Sequence, residues 1–249
     1  MDGLYIKSVR IDETLPEGSY FSHIPSIVQL TNKELHFDKE VSLFVGENGS
    51  GKSTLLEALA IACGFNPEGG TKNFTFSTRT SHSDLHRYLT ISRTAYPKDG
   101  FFLRAESFYN FASEVDVLNS GGGQPLINYY GGVSLHEQSH GESFLALVKN
   151  RFSGKGLYLL DEPEAALSPA RLMQLLVHIH DLVEKDSQFI ISTHSPILMS
   201  YPDADLFELS EKGIQKTSYH ETEHYRILKA FIDKPEVMYH HLFEEKENS

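Results

Sequence analysis

Short apolar runs in this chain alternate with stretches where apolar side chains recur every three or four positions, the rhythm of buried strands between amphipathic helices. Residues 4–11 (LYIKSVRI) alternate as a strand does, and residues 27–30 and 35–37 predict further short extended pieces. A small antiparallel sheet should therefore lead into the mainly apolar strand at residues 41–45. From Gly51 a helical pattern puts Leu55, Leu56, Leu59 and Ala62 on one face and should end near Gly64, with Asn66 and Pro67 just beyond. Residues 67–84 are rich in Gly, Ser, Thr and Asn and read as an irregular excursion. The run FFLRA at 101–105 reads as a buried strand. Periodicity is weak over 107–138, and the NSGGG run at 119–123 has little bulk to hold it and should be mobile. Further on, the pattern predicts a helix over 143–152, a strand buried on both faces at 157–160, a helix opening at Ser168-Pro169 and a buried strand at 189–192. A hairpin around Gly213 and helices over 223–232 and 235–243 complete the chain, and no heptad repeat is sustained.

The junction after the strand at 41–45 carries the chemistry. Gly46, Glu47, Asn48, Gly49, Ser50, Gly51, Lys52, Ser53 and Thr54 spell GENGSGKST, which fits G-x-x-x-x-G-K-[ST] between a strand and a helix. Its glycines let successive N–H groups and the helix N-terminus surround phosphate oxygens. Lys52 supplies a point charge to the β- and γ-phosphates, and the Ser53 hydroxyl is the natural Mg2+ ligand. Much later, LYLLDE delivers Asp161 and Glu162 at the C-terminal end of a strand, the edge at which α/β sheets place ligands. Asp161 is expected to hold magnesium beside Ser53, and Glu162 to orient and deprotonate an attacking water. His194, after the next strand, is placed to donate a hydrogen bond toward the γ-phosphate.

Composition narrows the reading. The chain has 249 residues, 34 acidic against 22 basic, for a formal charge of -12, so it is not a globally basic nucleic-acid binder. Its single cysteine, Cys63, allows no disulfide within the chain and is expected in the core. There is neither an apolar leader in MDGLYIKSVRID nor a run long enough to cross a membrane, and the expected location is cytoplasmic.

Together the phosphate loop, the Asp161-Glu162 pair and His194 resemble the ATP-binding-cassette superfamily over most of the chain. The likeness implies further assignments. Ser139, His140, Gly141 and Glu142 resemble the family's Leu-Ser-Gly-Gly-Gln signature, with Gln138 for its leucine, His140 for its first glycine and Glu142 for its glutamine. Glu106 lies where the family has a magnesium-sensing glutamine. Residues 165–168, AALS, resemble the segment that crosses the dimer interface. The resemblance implies a head-to-tail homodimer in which each ATP lies between one subunit's phosphate loop and the other's Ser139 and Gly141. The EPE, THSP and TEHY segments, at 162–164, 193–196 and 222–225, look more like chromosome-maintenance and repair ATPases and small stand-alone predicted ATPases than like common transporter subunits.

A rival signal is H-E-x-x-H, present at 136–140 and 220–224, which in metalloproteases sets two zinc-binding histidines on one helical face. The first copy overlaps the signature-like segment beside glycine-rich sequence. The second fits a helix better, but neither has a clear third ligand nearby. Ordinary polar or packing roles are therefore expected of these histidines. Arg104 should pair with Glu106, and Tyr129 and Tyr130 should pack within the helical lobe.

The expected fold is an α/β P-loop NTPase with an ABC-ATPase-like mixed sheet, N-terminal antiparallel strands and a helical or irregular insertion at residues 65–152 of a single domain spanning 1–249. The expected function is Mg2+-dependent ATP hydrolysis coupled to dimer closure and opening, acting on a protein or nucleic-acid partner in repair or defence. The alternatives are the nucleotide-binding subunit of a membrane transporter and a nucleotide-dependent scaffold with negligible turnover.

Overall fold

The computed structural model describes residues 4–71, 83–106, 108, 112–113 and 139–244. In chain order the regular elements are β1 (Ile6–Ile11), α1 (Pro25–Gln29), β2 (Leu35–His36), β3 (Val41–Val45), α2 (Lys52–Ala62), β4 (Leu89–Arg93), β5 (Asp99–Arg104) and α3 (His140–Arg151). They continue with β6 (Gly156–Asp161), α4 (Pro169–Val183), β7 (Gln188–Ser192), α5 (Pro196–Met199), β8 (Asp205–Ser210), β9 (Gly213–Thr217), α6 (Glu223–Asp233) and α7 (Pro235–Glu244). Among these, no helix is long and apolar enough to cross a membrane.

The main sheet has the order β5-β6-β7-β3-β8-β9, parallel except for the final β8–β9 hairpin. Its central strands are apolar on both faces because both are covered. On β3, β6 and β7 the residues Val41, Leu43, Tyr158, Leu160, Phe189 and Ile191 pack against α3, α4 and α5. The alternate residues Phe44, Leu157, Leu159 and Ile190 pack against α2 and the N-terminal layer. That layer is a three-stranded antiparallel sheet, β2-β1-β4.

The two layers are joined by a buried amide. Gln188 Oε1 accepts from the Tyr5 and Ile6 N–H groups, each at 2.8 Å, and its Nε2 donates to the Ile6 carbonyl at 2.9 Å. At the far end of α3, Asp99 accepts from the Arg151 guanidinium, the Ser153 backbone N–H and hydroxyl, and the Tyr158 hydroxyl at 2.8 to 3.0 Å. Burial alone would raise the Asp99 pKa, but these donors and the Arg151 charge hold it below the ordinary carboxylate value.

Two local expectations are corrected. Residues 27–30 are not extended: Pro25 starts helix α1, and Ile27 and Leu30, three apart, both turn into the core. The second H-E-x-x-H is not one helix. Tyr219–Glu221 is a single 3-10 turn, and Thr222, extended at ψ 142, interrupts it before α6. The two histidines consequently do not share a helical face. Cys63 is buried, as expected of a core residue. Strand β4 was not anticipated. It and β5 lie within the 65–152 span and join the two sheets. The run at 119–123, Tyr129, Tyr130 and most of the first H-E-x-x-H lie outside the described residues.

Candidate functional site

The sheet brings the predicted residues together at its C-terminal edge. Phe44 on β3 and Asp161 on β6 both register with Ser192 of β7, and Asp161 also registers with Arg104 of β5. The phosphate loop leaves β3, and Glu162 and His194 follow β6 and β7. Val45 is followed by Gly46 at φ 135, Gly49 at φ 82 and Gly51 at φ 99, conformations that side-chain-bearing residues resist. A Cβ on Gly46 would run into the Leu209 carbonyl, and one on Gly51 would press on Ile24 and Ser26 of the N-terminal layer. Ser26 Oγ donates to the Ser50 carbonyl at 2.5 Å, so the layer buttresses the loop.

Lys52 is only 4% exposed, and its ammonium donates to the Gly46 and Glu47 carbonyls at 2.8 and 2.9 Å. Burial lowers its pKa, a shift opposed by the nearby charges of Glu162, Asp161 and Glu164. No carboxylate among the described residues lies at ion-pair distance from it. A buried cation held among the described residues by carbonyls alone, on a loop with no room for a side chain at Gly46 or Gly51, fits an anionic ligand such as phosphate. Ser50 Oγ is also buried, with no partner among the described residues. Ser53 and Thr54, in the first turn of α2, are half-buried. Glu47 and Asn48 are exposed on the loop.

Asp161 is buried, with Oδ1 accepting from Ser192 Oγ at 2.5 Å and Oδ2 lying 3.4 Å from Arg104 Nε. Arg104 pairs with Glu106 at 3.8 Å, as expected, but has a closer partner in Glu57, at 2.5 Å; the Glu106 side chain is 83% exposed. Glu162 sits in the left-handed region at φ 48, ψ 52, which a non-glycine residue adopts at a cost. Burial, then the Asp161 charge, raise its pKa against the opposing pull of Lys52.

His194 stands beside it. Its Nε2 is buried with no hydrogen bond among the described residues and lies 3.5 Å from Glu162 Oε1. Burial, reinforced by Lys52 and His224, lowers its pKa to about 4, so the ring is neutral near pH 7. Its backbone N–H donates to Glu164 Oε1, as does the Thr193 hydroxyl, the latter at 2.9 Å. On the other side, His194 Nδ1 lies 3.3 Å from His224 Nε2. Sequence reasoning named His224 only within the H-E-x-x-H and TEHY segments, with no role at the site. Nothing in the local pattern links residues thirty positions apart.

Ser139 and Gly141 do not join this cluster within the chain. Ser139 stands at the N-terminus of α3, where its N–H and hydroxyl donate to Glu142 Oε2 at 3.1 and 2.6 Å. Arg171 of α4 donates to Ser139 Oγ and pairs with Glu142, both at 3.1 Å. A Cβ at Gly141 would collide with that Arg171 side chain. Glu142, exposed at the helix N-terminus, is thus paired with a base.

Residues 22–116 match the family described as "AAA domain", and residues 130–200 the family described as "AAA domain, putative AbiEii toxin, Type IV TA system". Each model covers less than half of the chain, and both likenesses are to P-loop ATPase domains of the ABC/AAA type. This ATPase is 25% identical to the ribose import ATP-binding protein RbsA of Bacillus cereus over 62% of the chain, a match spanning only 34% of that relative. It is 23% identical to an uncharacterized ABC transporter ATP-binding protein of Haemophilus influenzae, over 82% of the chain and 84% of the relative. Among solved structures it is similar in fold to CbiO1 of Clostridium perfringens, described as part of the ABC transporter complex CbiONQ. The TM-score there is 0.55 and the identity 17%, over 97% of this chain and 99% of that one.

Proposed function

We propose that this ATPase couples ATP hydrolysis to closing and opening of a head-to-tail homodimer that acts on a protein or nucleic-acid partner in the cytoplasm. The reading is carried by one observation: buried Lys52 and Asp161, half-buried Glu162 and neutral His194 act on one another across a single sheet edge. Lys52, fixed by two loop carbonyls, would face the β- and γ-phosphates together with the loop N–H groups. Ser53 and Asp161 would hold Mg2+, with Glu106 reaching from the end of β5; when bound, the metal neutralises charge on the phosphate oxygens. Glu162, with its raised pKa, is suited to take a proton from water, and His194 Nε2 to donate toward phosphate. The chemistry asks for positioning and charge more than for covalent participation.

Ser139 and Gly141 would serve the nucleotide of the partner subunit, and residues 165–168 would cross the interface beside it. Lys52→Ala should abolish ATP binding, whereas Glu162→Gln should bind ATP and sediment as a dimer. Equal loss of affinity in both variants, or an ATP-loaded Glu162→Gln protein that stays monomeric, would contradict the proposal. The names of the relatives favour a second reading, the nucleotide-binding subunit of a membrane transporter. Stoichiometric co-purification with a membrane protein would select it. Preserved affinity without turnover would instead indicate a scaffold.

A further inference from the structure

The C-terminal TEHY segment has no part in the ATPase reading so far, yet it reaches the site. Thr222 is fully buried and caps α6. Its Oγ1 accepts from the Tyr225 N–H at 3.3 Å and donates to the Tyr219 carbonyl at 2.7 Å. The Tyr219 and Tyr225 rings meet edge to face at 4.8 Å, closing the first turn into a rigid seat. His224, in that turn, is thereby set with its Nε2 at 3.3 Å from His194 Nδ1.

Only one proton can lie between two ring nitrogens across such a contact, and there are two ways to arrange it. If His194 Nδ1–H donated, its bare Nε2 lone pair would face the Glu162 carboxylate oxygen 3.5 Å away, a repulsive arrangement. If His224 Nε2–H donates, His194 accepts at Nδ1 and carries its own proton on Nε2, facing Glu162 and the loop. The second arrangement satisfies both contacts. A histidine's working nitrogen is commonly set in this way by the hydrogen bond its other nitrogen makes.

We propose that His224 is a positioning residue that donates from Nε2 to His194 Nδ1 and so holds His194 in the tautomer whose Nε2–H points to the reacting phosphate. The inference rests on the ATPase reading for its catalytic consequence. The tautomer itself is independent of it. Seating of α6 thereby becomes a condition for turnover. Beyond its first turn this helix leaves Ile227, Leu228 and Ile232 exposed, so displacement of α6 would carry His224 off His194.

The test uses the full chain and three substitutions. Gln carries a donor close to the position of imidazole Nε2, Asn carries one close to Nδ1, and Leu carries none. His224→Gln should retain kcat within about threefold, while His224→Asn and His224→Leu should lose about 10- to 100-fold in kcat at unchanged KM for ATP, as when the group orienting a working histidine is removed. Nitrogen-15 shifts of the His194 ring, read without nucleotide, should show protonated Nε2 in the wild type and His224→Gln, and mixed tautomers in His224→Leu. Protonated Nδ1 in the wild type, or wild-type kcat in both His224→Asn and His224→Leu, would overturn the proposal. A wild type with no turnover above Lys52→Ala would refute the ATPase reading instead, and the nitrogen shifts would then decide the tautomer alone.

Discussion

Replacing Gln188 with leucine should destabilise the protein by about 3 kcal/mol. The side chain is wholly buried and makes three hydrogen bonds to β1 and the residue before it, which makes it the polar seam between the two sheets. Leucine fills a similar volume but leaves the Ile6 N–H and C=O without these partners, in a residue only 1% exposed. Each such group costs about 1–3 kcal/mol, and the partly buried Tyr5 N–H adds less because water can reach it. Burying an aliphatic side chain in place of an amide returns about 1–2 kcal/mol, which brings the net to the figure above. Urea unfolding at pH 7 should show the midpoint falling by roughly 1 M with m unchanged. A loss below about 1 kcal/mol would mean that packing rather than these hydrogen bonds joins the layers.

The Asp99 network gives a pH signature. Its carboxyl is held below the ordinary value in the fold, so its contribution is complete above the unfolded pKa of about 4 and is lost as pH falls through the folded value. Asp99→Asn should therefore be less stable than the wild type by about 2 kcal/mol at pH 7, and urea curves of the two proteins should converge as the pH falls through the lowered folded value. Arg104→Met should cost about 3 kcal/mol, because it strips the cation from Glu57, only 11% exposed at its side chain, and from Asp161. Thermal unfolding of Arg104→Met with and without Glu57→Gln should show the second change recovering part of that loss. No recovery would mean that the ion pair is not what Arg104 contributes.

The site was legible where the chemistry demands residue types at fixed spacing: three glycines and a lysine at a strand-to-helix junction, then two carboxylates after an apolar strand. The sheet was legible because β3, β6 and β7, apolar on both faces, leave no polar alternation to mistake. Strand β4 escaped because every second residue is exposed and the others are only half-buried, so LTISR offers a weak contrast. Helix α1, five residues long, is too short for periodicity to separate it from a strand. The closer pairing of Arg104 with Glu57 and the meeting of His194 with His224 depend on elements brought together only by folding. The H-E-x-x-H spacing misled for the opposite reason: it presumes one continuous helix, and Thr222 caps a new one between the two histidines.

The central claim is that Glu162 serves proton transfer at a nucleotide held by Lys52. Steady-state ATP turnover by wild type and Glu162→Gln, at saturating ATP and Mg2+, tests it most directly. The account predicts a fall of at least about 100-fold in the variant with ATP affinity kept within about threefold. Equal turnover in the two proteins would contradict it.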